Sequence, residues 1–413
     1  MPDDLCVAVL VIACFALTIK CGLRLALNYS PFERQLMRGL PLVLLFTAMT
    51  FLAWGVYGPT LHHGSLAFDK DSLRAFVGVG LAYFLIAVVI PVAIIRSYGE
   101  SGKWTVGGTL FSIVAGAVGA VGALGIILAL NYGGDTVYVM PVVFGLAPVV
   151  NTLVTATLSR TFGKIKPIFL AGIATVALGA VGVLVFRTPT TPKAVDSKTS
   201  EQSSIADQEA KSEPSELSDQ VGDSSLEAKA DSNSGTAPSQ PVAAATESSS
   251  SVWKIIASMI TAAICWGSYG PMLHLGQGRM AGSRLRPFVC VGIAYFLIAV
   301  IAPLFLIYTR PDQTGSWTMA GLVWSILAGS AGAIGALGVI LAFNAGGKPF
   351  YVMPIIFGFA PVVNTFISLS EKGTWHLVHP LFWISLGVVI AGAVTVLITA
   401  PKSPPPAKAP AAS

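Results

Sequence analysis

Long apolar runs alternate with short polar breaks along most of the chain, and each run is about as long as a membrane crossing. A helix needs about 20 residues to cross a ~30 Å hydrocarbon core. Runs of that length cover 40–61, 76–95, 106–130, 137–158 and 168–186, and again 252–273, 288–308, 319–343, 350–369 and 381–400. They are too long for buried strands and lack the in-out alternation of a barrel strand. The pattern predicts an all-α integral membrane protein with ten transmembrane helices.

The two sets of five are copies of one another. AWGVYGPTLHHG at 53–64 returns as CWGSYGPMLHLG at 265–276, 212 positions later. FVGVGLAYFLIAVVIP at 76–91 returns as FVCVGIAYFLIAVIAP at 288–303 with the same offset. GAVGAVGALGIILALNYGG at 116–134 and YVMPVVFGLAPVVNT at 138–152 return as GSAGAIGALGVILAFNAGG at 329–347 and YVMPIIFGFAPVVNT at 351–365, now at offset 213. One residue inserted in the loop before Trp104/Trp317 accounts for the change. A period this long marks a duplicated five-helix unit rather than a solenoid. An odd number of spans per copy makes the second cross in the opposite sense, so the expected architecture is two inverted-topology five-helix repeats.

Composition and charge sharpen the picture. The chain is 54% hydrophobic and 11% charged, with a mean hydropathy of +0.73. A soluble domain carries about 25% charged residues, so much of this surface must face lipid. The net charge of +5 hides an acidic stretch: residues 188–251 hold eleven Asp and Glu against four Lys. That stretch is rich in Ser, Ala, Pro and Thr and cannot bury enough apolar surface to offset its ordering entropy. It reads as a disordered acidic linker between a first repeat at 37–187 and a second at 252–400. The Pro/Ala-rich tail at 401–413 reads the same way.

The remaining basic residues lie in short loops. Arg34, Arg38, Arg96, Lys103, Arg160, Lys164, Lys166, Arg279, Arg284, Arg286, Lys348, Lys402 and Lys408 fall on one side of the expected topology. Lys70, Arg74, Arg187, Arg310 and Lys372 fall on the other. Positive charge concentrates on the cytoplasmic side, so both ends of the ten-span body are expected inside and the linker outside, in a cell membrane. Loop charges of this kind serve topology, and nucleic acid is not an expected partner. Residues 1–36 have no counterpart in the second half. They read as an eleventh span over 5–19, a signal-like segment, or an extension ahead of a start at Met37.

Few residues offer chemistry. Cys6, Cys14, Cys21, Cys265 and Cys290 lie in or beside apolar runs without ligand spacing, so neither a disulfide framework nor a metal site is expected. Apart from Lys254 near the start of the sixth, the ten runs contain no Asp, Glu, Lys or Arg, and the usual intramembrane proton relay is absent from them. His62, His63 and His274 lie near helix ends, and His62 and His274 are the candidates for proton coupling. No hydrolase, kinase or phosphate-loop motif is present, so an enzyme is not expected, nor is a cofactor.

What recurs is neutral and polar or aromatic. Trp54 and Tyr57, three apart on one helix face, match Trp266 and Tyr269 beside a Gly-Pro step. Asn131/Asn344 end the third helix of each half, Tyr138/Tyr351 open the fourth, and Asn151/Asn364 fall within it. Buried amides can tie helices together or line a polar path, and both readings stand. The Trp–Tyr pairs fit interfacial anchoring or the wall of such a path. Repeated glycines at 116, 119, 122 and 125 and at 329, 332, 335 and 338 permit close helix approach or sliding.

Two inverted five-helix units carrying WGVYGPTLHHG and WGSYGPMLHLG resemble the drug/metabolite transporter superfamily, in particular its EamA-like and sugar-uptake-like members. GALGIILALNYGG with YVMPVVFGLAPVVNT looks like the third-to-fourth helix region of that superfamily. The resemblance covers about 37–187 and 252–400. It implies that helices one to four of each half surround a midplane site, with the fifth helices peripheral or in homodimer contacts. It offers Trp54, Tyr57, Asn131, Tyr138, Asn151, Trp266, Tyr269, Asn344, Tyr351 and Asn364 as candidate lining. The expected function is alternating-access movement of a small polar, sugar-like metabolite, with binding at segments unwound near the Gly-Pro and Tyr-Val-Met-Pro steps. A membrane sensor or assembly protein using the acidic linker, and a lipid flippase, are the alternatives.

Overall fold

The computed structural model describes residues 40–186 and 242–399, apart from the loop positions 159, 161, 162, 164, 165, 282, 284, 310–314 and 346–348. The expected extension at 1–36, the tail at 401–413 and most of the expected linker lie outside the described residues. Among those residues the chain is all helix, as lipid requires of a non-barrel membrane protein.

Ten helical segments follow in order. α1 is Leu40–Ala67. α2 runs Ser72–Phe84, widens into a π-helical turn at Leu85–Val89 and continues over Ile90–Tyr98. α3 is Val106–Asn131, α4 Thr136–Leu158 and α5 Pro167–Val185. α6 is Val242–Arg279, which begins upstream of the expected Val252. α7 repeats the form of α2, with Leu285–Phe296, a π-helical turn at Leu297–Ile301 and Ala302–Thr309. α8 is Met319–Asn344, α9 Pro349–Lys372 and α10 Pro380–Thr399. Nine of these, all but α9, are long and apolar enough to cross a membrane among the described residues. The chain is therefore a multi-pass helical membrane protein.

Helices α1–α5 and α7–α10 fall within one compact unit, Met1–Thr188 with Ser248–Ser413, as does α6 from Ser248 onward. Pro189–Glu247 forms the other unit, whose described part is the opening of α6.

Contacts between the halves come in matched pairs. Along α1 and α8, Thr50 Oγ1 donates to Gly335 O (3.2 Å) and Trp54 Nε1 to Gly332 O (3.2 Å), while Gly64 backs onto Ser325. Residue numbers rise on one helix as they fall on the other, so the two run antiparallel. α6 and α3 repeat the arrangement. Gly125 faces Ala262, Trp266 Nε1 donates to Gly119 O (3.2 Å), and Gly276 backs onto Ser112. Small residues let these backbones meet where lipid gives no hydrophobic drive to associate.

The loop before each third helix grips the other half. Thr105 accepts from Gly108 N (3.1 Å) as the α3 cap, and its hydroxyl donates to Arg279 O (3.0 Å). Thr318 accepts from Gly321 N (3.1 Å) and donates to Ala67 O (2.7 Å). The fifth helices pair with each other. Gly179 lies on the Val389 and Ser385 backbone, and Gly392 on that of Val176 and Gly172. Only 33% of the α5 span and 39% of the α10 span is buried, against 72% for α4 and for α8. α6 is as open as α10, at 39%, so α4 and α8 are the most enclosed of these helices.

Two expectations fail on the backbone. α1 and α4 do not unwind at Pro59, Pro141 or Pro148, which all lie inside continuous helix. A proline removes one helical N–H and crowds the carbonyl four residues back, and here the helix absorbs this without a break. The irregularity appears instead in α2 and α7, just before Pro91 and Pro303. Ile90 N bonds to Leu85 O and Ala302 N to Leu297 O, five residues back, so the widened turn ends beside each proline. The helices also run past the apolar cores. Arg74, Arg96, Arg279, Arg286, Glu371 and Lys372 are all helical, near helix ends.

Candidate functional site

At the centre, the two Trp–Tyr pairs converge on aromatic side chains from other helices. Trp54 stacks on Phe144 of α4 (centroids 6.2 Å apart) and tilts against Phe357 of α9 (6.3 Å). Phe144 also meets Trp266 (5.9 Å) and Phe357 (6.3 Å), and Tyr57 sets its edge on Trp266 (5.9 Å). Each indole is fixed from behind by its bond to a glycine carbonyl. A Cβ on Gly335 would collide with the Trp54 ring, and one on Gly122 with the Trp266 ring. The repeated glycines thus make room for indoles.

Beside this group, Tyr83 and Tyr295 stack nearly parallel, 3.8 Å apart, where α2 crosses α7. Tyr295 lies within electrostatic reach of Tyr83, Tyr57 and Tyr269. Phe144, Phe357, Tyr83 and Tyr295 were not among the residues singled out from the sequence. Their signal was recurrence: AYF and the Phe-Gly of the fourth helix appear in both copies.

The amides divide. Asn364 is fully buried on α9, donates from Nδ2 to Thr136 O (2.7 Å) and faces Gly58 of α1. Asn151, its counterpart on α4, faces Gly270 of α6 but is only partly buried. Asn131 belongs elsewhere. It donates to Lys70 O (2.5 Å) and Ser72 Oγ (2.6 Å) and accepts from Ser65, stapling the α1–α2 turn to the end of α3. Tyr138 is buried in the first turn of α4. Asn344 and Tyr351 are helical, and their side chains lie outside the described set.

Two buried polar atoms at this centre have no hydrogen-bond partner among the described residues: Tyr57 Oη and Asn364 Oδ1. Tyr57 is 4% exposed and Asn364 0%. More than about nine in ten buried polar groups are satisfied in proteins, so orphans on two adjoining helices invite a ligand's hydroxyl or amide groups.

The histidines separate as well. His62 is half-buried amid Lys372, Asp135, His63 and Glu371, whereas His274 is exposed. Asp135 pairs with Lys372 and caps α4 by accepting from Val137 N (2.9 Å). Cys265 and Cys290 carry free thiols, and no cluster of His, Cys, Asp or Glu suited to a metal ion occurs among the described residues.

The centre is closed more tightly at one end. Gly55 to Leu61 on α1 and Thr136 to Gly145 on α4 are buried throughout. On α6 the matching Ser268, Tyr269 and Gly270 are only partly buried. No family model matches the chain, and no curated protein matches its sequence.

Proposed function

We propose that this protein is a transporter of the drug/metabolite type. In this reading it moves a small, uncharged polar solute, such as a sugar-like metabolite, through the centre between its two halves by alternating access. The ten helices act as two inverted five-helix repeats in a cell membrane. Both ends of the ten-span body face the cytoplasm, and the acidic linker joins the halves outside.

The observation that carries this reading is the matched, antiparallel pairing of repeated positions around the Trp–Tyr centre, together with its unequal closure. Trp54 on Gly332 and Trp266 on Gly119 are the same contact made twice in opposite directions. A related pair of halves can exchange their two arrangements about such a centre, opening either end in turn. Unequal burial of Asn364 and Asn151 is what one of those two arrangements looks like.

The solute class follows from the lining. Aromatic faces pack against the C–H faces of a ring, and amide and phenol groups meet hydroxyls. Among the described residues, neither Asp, Glu, Lys nor Arg is in the group that converges at the centre. The test is uptake by purified protein in liposomes across sugars, amino acids, nucleosides and polyamines, preceded by a thermal-shift screen, because a ligand stabilises the state it binds. Trp54→Ala, Trp266→Ala and Asn364→Ala should each lower flux of the solute found. Unchanged flux in all three would sink the site.

A further inference from the structure

Titratable side chains away from the centre gather in three places. Two of them correspond. Arg74 pairs with Asp71 at the start of α2, and Arg286 pairs with Glu100 (3.0 Å) at the start of α7, where Ser283 Oγ also donates to Glu100 (2.7 Å). These hold loops to helix starts, one in each half.

The third gathering has no twin. Lys372, on the last turn of α9, pairs with Asp135 at the start of α4. Glu371 Oε2 lies 3.4 Å from Nε2 of His63 on α1, whose ring stacks on Trp324 of α8 (5.0 Å). One layer deeper, Thr136 Oγ1 meets Ser368 Oγ (2.8 Å), and the Thr136 carbonyl accepts from Asn364 (2.7 Å). The repeat puts Lys348, Leu158, Ser159 and Leu275 where Asp135, Glu371, Lys372 and His63 stand, and Pro349 where Thr136 stands. The other end therefore cannot build the same ion pairs or the same hydroxyl link.

We propose that the Lys372–Asp135 and Glu371–His63 pairs form a one-sided ionic latch. It fastens α9 to α4 and α1, closes this end of the central path, and must part for the end to open. The inference rests on the transport reading. The pairs suit a latch rather than a permanent staple because they remain in reach of water: side-chain exposure is 31% for Lys372 and 17% for Asp135. Separated charges can rehydrate there, which a deeply buried pair cannot do cheaply.

The test uses the full chain in sealed vesicles, with its five native cysteines replaced and Ser368→Cys as reporter beneath the latch. Ser368 is 1% exposed. A membrane-impermeant maleimide is applied to the latch face. With both pairs intact, labelling should be slow. Asp135→Asn with Glu371→Gln should speed it roughly tenfold, the scale of a modest conformational coupling. Exchanging the first pair, Asp135→Lys with Lys372→Asp, should bring labelling back toward the intact rate. Should that exchanged chain not reach the membrane, Lys372→Gln alone must speed labelling.

Fast labelling with intact pairs, or rates indifferent to every neutralisation, overturns the latch. Labelling needs no solute, so the two readings part cleanly. A reporter that answers to charge in a chain that moves nothing defeats transport alone. Flux with an unresponsive reporter defeats the latch alone.

Discussion

The two ends of the aromatic centre are built from matching residues, yet they are packed differently. Near Asn364, α1, α4 and α9 meet in a layer of amide, hydroxyl and ion-pair contacts. Near Asn151 the same helix positions carry Pro349, Leu158 and Leu275, and the side chains around Tyr269 are more open. The recurring sequence gives the two sides matching positions, and the residues at the helix ends differ between them. Symmetry thus governs what the halves share, the indole seats and the glycine crossings. Asymmetry is confined to the helix-end residues, which the copies do not share.

That contrast can be broken by substitution. The largest effects belong where the ends agree. Trp54→Ala and Trp266→Ala each remove ring packing and an indole hydrogen bond. A thermal melt in detergent should register about 2–4 kcal/mol for either. Similar losses at both positions are expected, and a gap of several-fold would mean the two seats are not equivalent.

Next come Gly335→Ala and Gly122→Ala, whose new methyl groups strike the Trp54 and Trp266 rings. Overpacking of this kind costs about 1–3 kcal/mol, again in matched amounts. Indole fluorescence should shift in both variants as the ring is displaced.

The amides should then separate the ends. Asn364→Ala leaves the Thr136 carbonyl without its donor in a fully buried place, a loss of about 1–2 kcal/mol. Asn151→Ala, at a partly buried site, should cost less than half as much. Equal melting shifts would erase the proposed difference between the ends.

Smallest of all, His274→Ala sits on an exposed surface and should fall within about 0.5 kcal/mol. His62→Ala, half-buried among Lys372, Asp135, His63 and Glu371, should exceed it.

Much of the helical plan was legible because hydrophobic run length and internal repetition are strong, redundant signals. Trp54, Tyr57, Trp266 and Tyr269 stood out as unusual residues written twice, and the structure brings them together. Phe144, Phe357, Tyr83 and Tyr295 also recur, but an aromatic side chain in an apolar helix is the commonest kind of filler and carries no mark of place. Asn131 looked like its neighbours in kind, and only the α1–α2 turn folded against it reveals a staple. The ionic cluster was hidden for the opposite reason. Asp135, Glu371, Lys372 and His63 belong to one copy each, and reasoning from the repeat attends to what the copies have in common. The expected unwinding failed because α1 and α4 carry Pro59 and Pro141 within continuous helix, and the widened turns lie elsewhere, before Pro91 and Pro303.

The α5–α10 pair has a consequence for biosynthesis. α5 lies against α10 through Gly179 and Gly392, whose backbones meet at Val389 and Val176. When the ribosome has delivered the first five helices, the glycine face of α5 has nothing to lie against but lipid. Its partner is the tenth helix to emerge, so the first half waits through the making of the second. That wait ends when α10 arrives and closes on α5 as a clasp.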